Sequence, residues 1–250
     1  AWHALEVVEE LDRRVAERTR ALEAVNTELE AFSFLVSHDL RAPLGSISGF
    51  AHALADRFSA VLPPDAVRYL GKIESSVRVM TTLIDDLLHF ARTSKAGIEL
   101  RPTDMSVLVQ ECLAKFQDGI VQRGVKVEVA KLPLWRVDPA LMAQVLFNLV
   151  GNAIKYTGRQ PHPVVEIGCH VSDAELVVFV RDNGAGFEMQ FVDRLFSPFE
   201  RLHSAAEFEG SGIGLALVKQ VISRHGGRVW AESTVGQGAC FYFALPRMTG

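Results

Sequence analysis

His38 stands beside Asp39 in the run Ser37-His38-Asp39-Leu40-Arg41-Ala42-Pro43-Leu44. An exposed imidazole can act as a nucleophile through one ring nitrogen. A neighbouring carboxylate can hold the N–H of the other nitrogen, fixing the tautomer and offsetting the positive charge that develops. Pro43 has no N–H to bond the Asp39 carbonyl, so a helix through this turn should bend.

Three further stretches carry chemistry of a different kind. Asn148 and Asn152 lie four residues apart, with Lys155 and Tyr156 following. On a helix both amides share one face. An amide oxygen suits Mg²⁺, and a lysine suits a phosphate oxygen. Asp182-Asn183-Gly184-Ala185-Gly186 closes an apolar run. A carboxylate there can accept from an amino group, while the glycines let backbone approach closely. Gly210-Ser211-Gly212-Ile213-Gly214 precedes a helical pattern. Glycine-rich backbone feeding a helix N-terminus is an anion site. The first three stretches have plain structural alternatives, a solvated His–Asp pair, a polar helix surface and a β-turn, and a lone GxGxG is by itself weak evidence.

The elements that must position these residues can be read from periodicity. Val8, Val15, Leu22, Leu29 and Val36 recur every seven residues, with Leu11, Val25 and Phe32 on the partner position and Arg18 interrupting it. Heptads flanked by Glu and Arg predict a coiled coil over residues 1–30. His38 falls outside that seam and is therefore predicted to point to solvent. The helix continues to about residue 58. A second runs from about Asp65, taken as its N-cap, to Thr93, with the stripe Leu70, Ile73, Val77, Met80, Ile84, Leu87 and Phe90. One such hairpin has too little core alone, so a homodimeric four-helix bundle over residues 31–94 is predicted. Residues 95–104, with Gly97 and Pro102, read as a linker. Beyond it, helices are predicted near 105–118, 139–156 and 213–225. Strands are predicted near 125–130, 164–171, 175–181, 228–233 and 239–245. The fold class is α+β: a helical hairpin, then over 105–250 a mixed sheet with helices on one face.

At 250 residues the chain is long enough for two domains. Its net charge of −4 argues against nucleic-acid partners. Cys112, Cys169 and Cys240 are scattered, without the spacing of a metal or disulfide framework, which fits a reducing, cytoplasmic setting. No apolar run approaches the roughly 18–20 residues of a membrane span. The chain opens at Ala1 inside a charged helical pattern, and is read as following an input domain.

Taken in order, the stretches resemble the two-component sensor histidine kinases from about residue 20 to 246. SHDLRAPL (37–44) resembles the phosphoacceptor box and NLVGNAIKYT (148–157) the N box. DNGAGF (182–187) is similar to the G1 box, FSPFERLH (196–203) to the F box and GSGIGLALVK (210–219) to the G2 box. The resemblance implies a dimerisation and phosphotransfer domain followed by a Bergerat-type α/β sandwich that binds ATP. It implies autophosphorylation of His38 aided by Asp39, then transfer to an aspartate of a response-regulator receiver domain. Asn152 would ligate Mg²⁺ with Asn148 beside it. Lys155 and Tyr156 would line the nucleotide and phosphate side, and Asp182 would read the adenine. Gly184, Gly186, Gly210, Gly212 and Gly214 would shape the site. Arg201 would stabilise the transferring phosphoryl group, and residues 188–210 would form a lid. The phosphoacceptor variant is similar to kinases governed by PAS or phytochrome sensors.

Two positions depart from the family pattern. Ala42 replaces the Thr or Asn that helps aim a water in phosphatase reactions, and Ala239 replaces a hydroxyl near the adenine. Two rival readings remain. A gyrase-like or chaperone-like ATPase would need a Glu where Asn148 stands. A non-catalytic dimerisation scaffold would give no phosphoprotein.

Overall fold

The computed structural model describes residues 13–14, 17–18, 39–58, 61–93, 97–200, 202, 208 and 210–247. The predicted coiled coil over 1–30 falls almost wholly outside these residues, as do His38 and Arg201. The chain divides into two compact units, Ala1–Arg92 and Thr93–Gly250.

In the first unit, helix α1 (39–58) and helix α2 (Pro64–Thr93) form an antiparallel hairpin. Arg41 pairs with Asp85 near one end, and His52 approaches Glu74 at 3.7 Å further along. Helix α1 continues without a break across Pro43. Leu44 packs with Val77, Ile84 and Leu88 in a shared apolar seam. Helix α2 starts one residue earlier than predicted. The Pro63 carbonyl accepts from Ala66 and Val67, so Pro64 takes the first helical position. Its missing N–H is one that has no intrahelical partner there anyway. Asp65 is therefore not the N-cap. It sits inside the first turn and pairs with Arg68 at 2.8 Å.

The second unit opens with β1 (Arg101–Asp104), inside the stretch read as linker. It pairs antiparallel with β3 (Leu134–Val137) in a two-stranded ribbon. Helix α3 (Met105–Lys115) is capped by Asp104, whose side chain accepts from the Ser106 N–H at 2.9 Å. The single helix predicted over 105–118 breaks at Phe116 and resumes as α4 (Gln117–Arg123). Gly124, left-handed at φ 62°, ends it.

The main sheet has the order β2-β4-β5-β7-β6, with β2 (Lys126–Val129), β4 (Val164–Val171), β5 (Glu175–Asp182), β6 (Arg228–Thr234) and β7 (Gly238–Pro246). Only β2 and β4 run parallel. Strand alternation sends Val165, Ile167, Val178, Val180, Phe241 and Phe243 to one face, all buried. Helix α5 (Pro139–Tyr156) packs on β4, β5 and β7 and is flanked by α3 and α7 (Gly214–Arg224). The opposite face carries Phe179, Tyr242 and Trp230 in one row across the strands. Between β5 and α7 lie a short 3₁₀ turn, Met189–Phe191, and α6 (Val192–Leu195). No helix among the described residues is long and apolar enough to cross a membrane.

Candidate nucleotide site

Helix α5 delivers the first group of side chains. Asp138 caps it by accepting from Ala140 and Leu141 at 3.0 and 3.1 Å, and Pro139 occupies its first position. Its buried stripe, including Met142, Val145, Leu149 and Val150, anchors the helix to the sheet. That leaves Asn148, Asn152, Lys155 and Tyr156 toward the C-terminal end. The Asn148 amide donates to the Gln144 carbonyl at 2.9 Å. Its oxygen lies against the Cα of Gly214, where a Cβ would approach it to 2.3 Å.

Asp182 ends β5 on the helix-covered face, opposite Ala239 of β7. It is only 4% exposed, so its carboxylate has little water. Burial pushes its pKa up from 3.8 to about 6, against the opposing pull of the Gly184 and Ala239 backbone N–H groups. The turn after it can contain only glycine at two places. A Cβ on Gly184 would meet the Tyr156 carbonyl oxygen at 2.5 Å. One on Gly186, left-handed at φ 63°, would meet the Thr234 carbonyl oxygen at 2.1 Å.

The glycine loop before α7 completes the site. Gly212 is left-handed at φ 76°, and its carbonyl accepts from the Phe199 N–H at 3.0 Å. That bond clasps the loop to the segment after α6. The Lys155 ammonium lies beside Gly210, 3.3 Å from where a Cβ would stand.

These groups meet around one cavity that is open to solvent. Asn152, Lys155, Tyr156, Asp182, Gly186, Gly210, Gly212 and Gly214 line it. Asn148 and Gly184 do not; they support it from behind. Lys155 sits 4.2 Å from the centre of the Tyr156 ring, and Tyr156 meets Phe208 edge-on at 4.8 Å. Phe187, Leu195, Leu202, Phe208, Leu215 and Phe241 supply apolar wall, with Ala239 beside Asp182. Ala239 was expected near the adenine; the other wall residues were not singled out as site residues, because an apolar side chain carries no sign of which surface it covers. Ser211 and Glu200, which lie in the quoted stretches but were given no role of their own, also line it; the Glu200 carboxylate is held bidentate by Arg194 at 2.9 Å. Asp39, in the other unit, is exposed at the described start of α1.

An apolar slot with one buried acceptor, joined to a lysine and a glycine loop at a helix N-terminus, suits a purine carrying phosphates. Comparison with known proteins agrees. Residues 28–95 match the His Kinase A (phospho-acceptor) domain. Residues 137–249 match the family described as histidine kinase-, DNA gyrase B-, and HSP90-like ATPase. The chain belongs to the two-component sensor histidine kinases.

Among relatives of this kinase family, the chain is 37% identical over 232 residues to the phytochrome-like protein Cph1 of Synechocystis sp., covering 93% of this chain and 31% of that protein. It is 39% identical over 239 residues to the methanogenesis regulatory histidine kinase FilI of Methanothrix harundinacea, covering 95% of this chain and 26% of that one. The chain thus spans about a third or less of these relatives. Full-length ShkA, solved in complex with AMPPNP, superimposes with a TM-score of 0.65 at 28% identity, over 87% of this chain and 46% of that chain. Of the two asparagines of α5 in this histidine kinase, Asn152 lines the cavity and Asn148 does not, and an amide oxygen suits Mg²⁺. Among the described residues no cluster of three or more His, Cys, Asp or Glu could hold a metal by itself. One protein oxygen plus substrate phosphates is a normal Mg²⁺ environment, so the residues fit such an ion.

Proposed function

We propose that this protein binds ATP in the cavity, phosphorylates its own His38, and passes the phosphoryl group to an aspartate of a response-regulator receiver domain. The observation that carries the reading is the convergence of Asn152, Lys155 and Tyr156 with Asp182 and the glycine loop on one cavity. Asp182 accepts the adenine amino group while the apolar walls enclose the ring. Lys155 and the N–H groups of the loop hold the phosphates. Mg²⁺, when bound, offsets phosphate charge, and Asn152 contributes an oxygen to it. Asn148 orients α7 from behind instead of facing the ion. His38 attacks the γ-phosphorus through one imidazole nitrogen; the bond to the bridging oxygen breaks and ADP leaves with the electron pair. Asp39 holds the other ring N–H, and Arg201 meets the charge on the transferring group. Localisation in the cytoplasm accords with a reaction that consumes ATP.

The hairpin supports a homodimer. Leu40, Ile47 and Leu54 on α1, and Ile73 and Met80 on α2, repeat every seven residues and are 40–46% exposed. They form a second apolar seam beside the buried one, and a second copy covers it in a four-helix bundle. A sensor domain of the phytochrome or PAS kind, preceding residue 1, would act on this bundle.

Incubation with γ-labelled ATP tests the reading. The native chain should yield an acid-labile, base-stable phosphoprotein, and His38→Ala should abolish the label while retaining ATP binding. Label persisting in His38→Ala would reject the acceptor. A native chain that binds ATP without labelling would point to the non-catalytic scaffold.

A further inference from the structure

We infer that His225 is a positioning residue for the nucleotide site, acting through a hydrogen bond that fixes the register of α7 against α5. The inference rests on the reading of the cavity as an ATP site.

His225 ends α7 and is 2% exposed. Its Nδ1 lies 2.8 Å from the Val221 carbonyl oxygen, so Nδ1 carries the proton and donates. Nε2 is then an acceptor, and it receives the backbone N–H of Asp138 at 3.1 Å. Asp138 is the N-cap of α5 and is also buried. One oxygen of its carboxylate accepts the Ala140 and Leu141 N–H groups; the other accepts Glu99 N–H at 3.1 Å. The start of α5, the end of α7 and the segment leading into the unit are thus fastened at one buried point.

The same two helices meet again where the Asn148 side chain packs against the Cα of Gly214. Residues 138–148 of α5 and 214–225 of α7 are nearly equal in length, roughly 15–17 Å at helical rise. The helices therefore run antiparallel, pinned at both ends. One turn beyond Asn148 lies Asn152, facing the loop that ends at Gly214. A slip of α7 along α5 would move the loop, and the phosphate-binding N–H groups, relative to Asn152 and Lys155. Asp182 belongs to the sheet and would stay where it is. Loss of the His225 bond should therefore weaken recognition of phosphates and spare recognition of adenosine. A purely structural role would lower stability without that selectivity.

Calorimetry with ATP and with adenosine separates the two. His225→Asn can keep the Val221 contact but is too short to reach Asp138, whereas His225→Gln can extend an acceptor to it. His225→Asn should lower ATP affinity about tenfold, the value of one good phosphate hydrogen bond, with adenosine affinity changed less than about twofold. His225→Gln should recover most of the loss. Leu176→Ala, at the far end of β5 from Asp182, gives a destabilised control whose ATP-to-adenosine ratio should stay native. Coupling is reciprocal, so in the native chain ATP, and not adenosine, should slow hydrogen exchange at the Asp138 amide. This second measurement holds even if His225→Asn fails to fold. An unchanged ATP-to-adenosine ratio in folded His225→Asn, or equal Asp138 protection by both ligands, would overturn the inference. If the native chain showed no preference for ATP over adenosine, the triphosphate reading of the cavity would itself fall, and the inference with it.

Discussion

The Asp182 carboxylate accepts the backbone N–H of Gly184 at 2.8 Å, and this bond holds a buried acid in the wall of the cavity. Its pKa, raised from 3.8 to about 6, means that the folded state holds this proton more tightly than the unfolded chain does. The group's favourable contribution is complete below about pH 4 and is lost as pH rises through about 6. At neutral pH the ionised carboxylate costs the nucleotide-free domain about 3 kcal/mol.

Asp182→Asn should therefore stabilise the nucleotide-free protein at pH 7.5 while weakening ATP binding roughly ten- to a hundredfold. Its oxygen can still accept from Gly184, but an amide N–H₂ then faces the adenine amino group. Urea melts at several pH values check the first half: the stability gap between variant and native should close on acidification toward pH 4. Calorimetry checks the second. A variant that is less stable at pH 7.5, or that binds ATP as the native chain does, would remove Asp182 from this role.

Ile47 and Leu54 lie on the exposed seam of α1. Burying an unpaired carboxylate between two copies costs about 3 kcal/mol or more, so Ile47→Glu should raise the dimer dissociation constant by roughly a hundredfold or more. Sedimentation at micromolar concentration reads this directly. Asp56→Ala, at a position paired with His52 on the polar side of α1, should leave the dimer intact. A native chain that sediments as a monomer would contradict the bundle.

Gly168 and Phe179 face each other across β4 and β5 on the open side of the sheet, and the Phe179 ring lies over the glycine. A Cβ on Gly168 would stand 2.4 Å from that ring. The ring continues a row with Tyr242 and Trp230, which stack at 5.0 Å with an interplanar angle of 4°. Gly168→Ala should displace Phe179 and cost about 1–3 kcal/mol of stability. ATP affinity, measured well below the melting temperature, should stay native because the cavity lies on the other face. A melting temperature equal to that of the native chain would show that the row rearranges freely.

Much of this was legible in the sequence, and the exceptions have physical reasons. Strands β4, β5 and β7 are apolar runs rich in Val or Phe, and turns of three residues, 172–174 and 235–237, join β4 to β5 and β6 to β7, so composition and punctuation agreed. Strands β1 and β3 have four residues each and pair only with one another, too short for alternation to register. The break at Phe116 lies inside an uninterrupted helical pattern, because Phe116 turns to stack on Phe147 at 4.7 Å and to cover Gly151. Helical spacing placed Asn148 and Asn152 on one face correctly, but it could not say that α7 covers the first and leaves the second open to the cavity. Leu195, Leu202 and Phe208 fall within the stretch expected as a lid, but nothing in their spacing said that they would wall the cavity.

The last expectation concerns the reverse reaction on the regulator. Dephosphorylating a receiver requires a water aligned with its phosphoaspartate, and the resemblance to related kinases assigns that task to a Thr or Asn one turn beyond the histidine. Ala42 stands there, exposed on α1 and without a polar side-chain atom. Two neighbours could have substituted for it, and each is engaged elsewhere. The Ser46 hydroxyl donates to the Ala42 carbonyl at 3.1 Å, and the Arg41 guanidinium pairs with Asp85 across the hairpin. The native chain should therefore accept ATP-derived phosphate and transfer it, yet scarcely accelerate loss of phosphate from its regulator. Ala42→Thr restores a hydroxyl at a cost in helix propensity of only about 0.5 kcal/mol, so folding should be little affected. Decay of a purified phosphorylated cognate receiver, followed with ADP and with either form of the protein, measures the difference. Faster decay with Ala42→Thr than with the native chain supports the assignment. Strong acceleration by the native chain, unchanged in Ala42→Thr, would mean that another group holds the water.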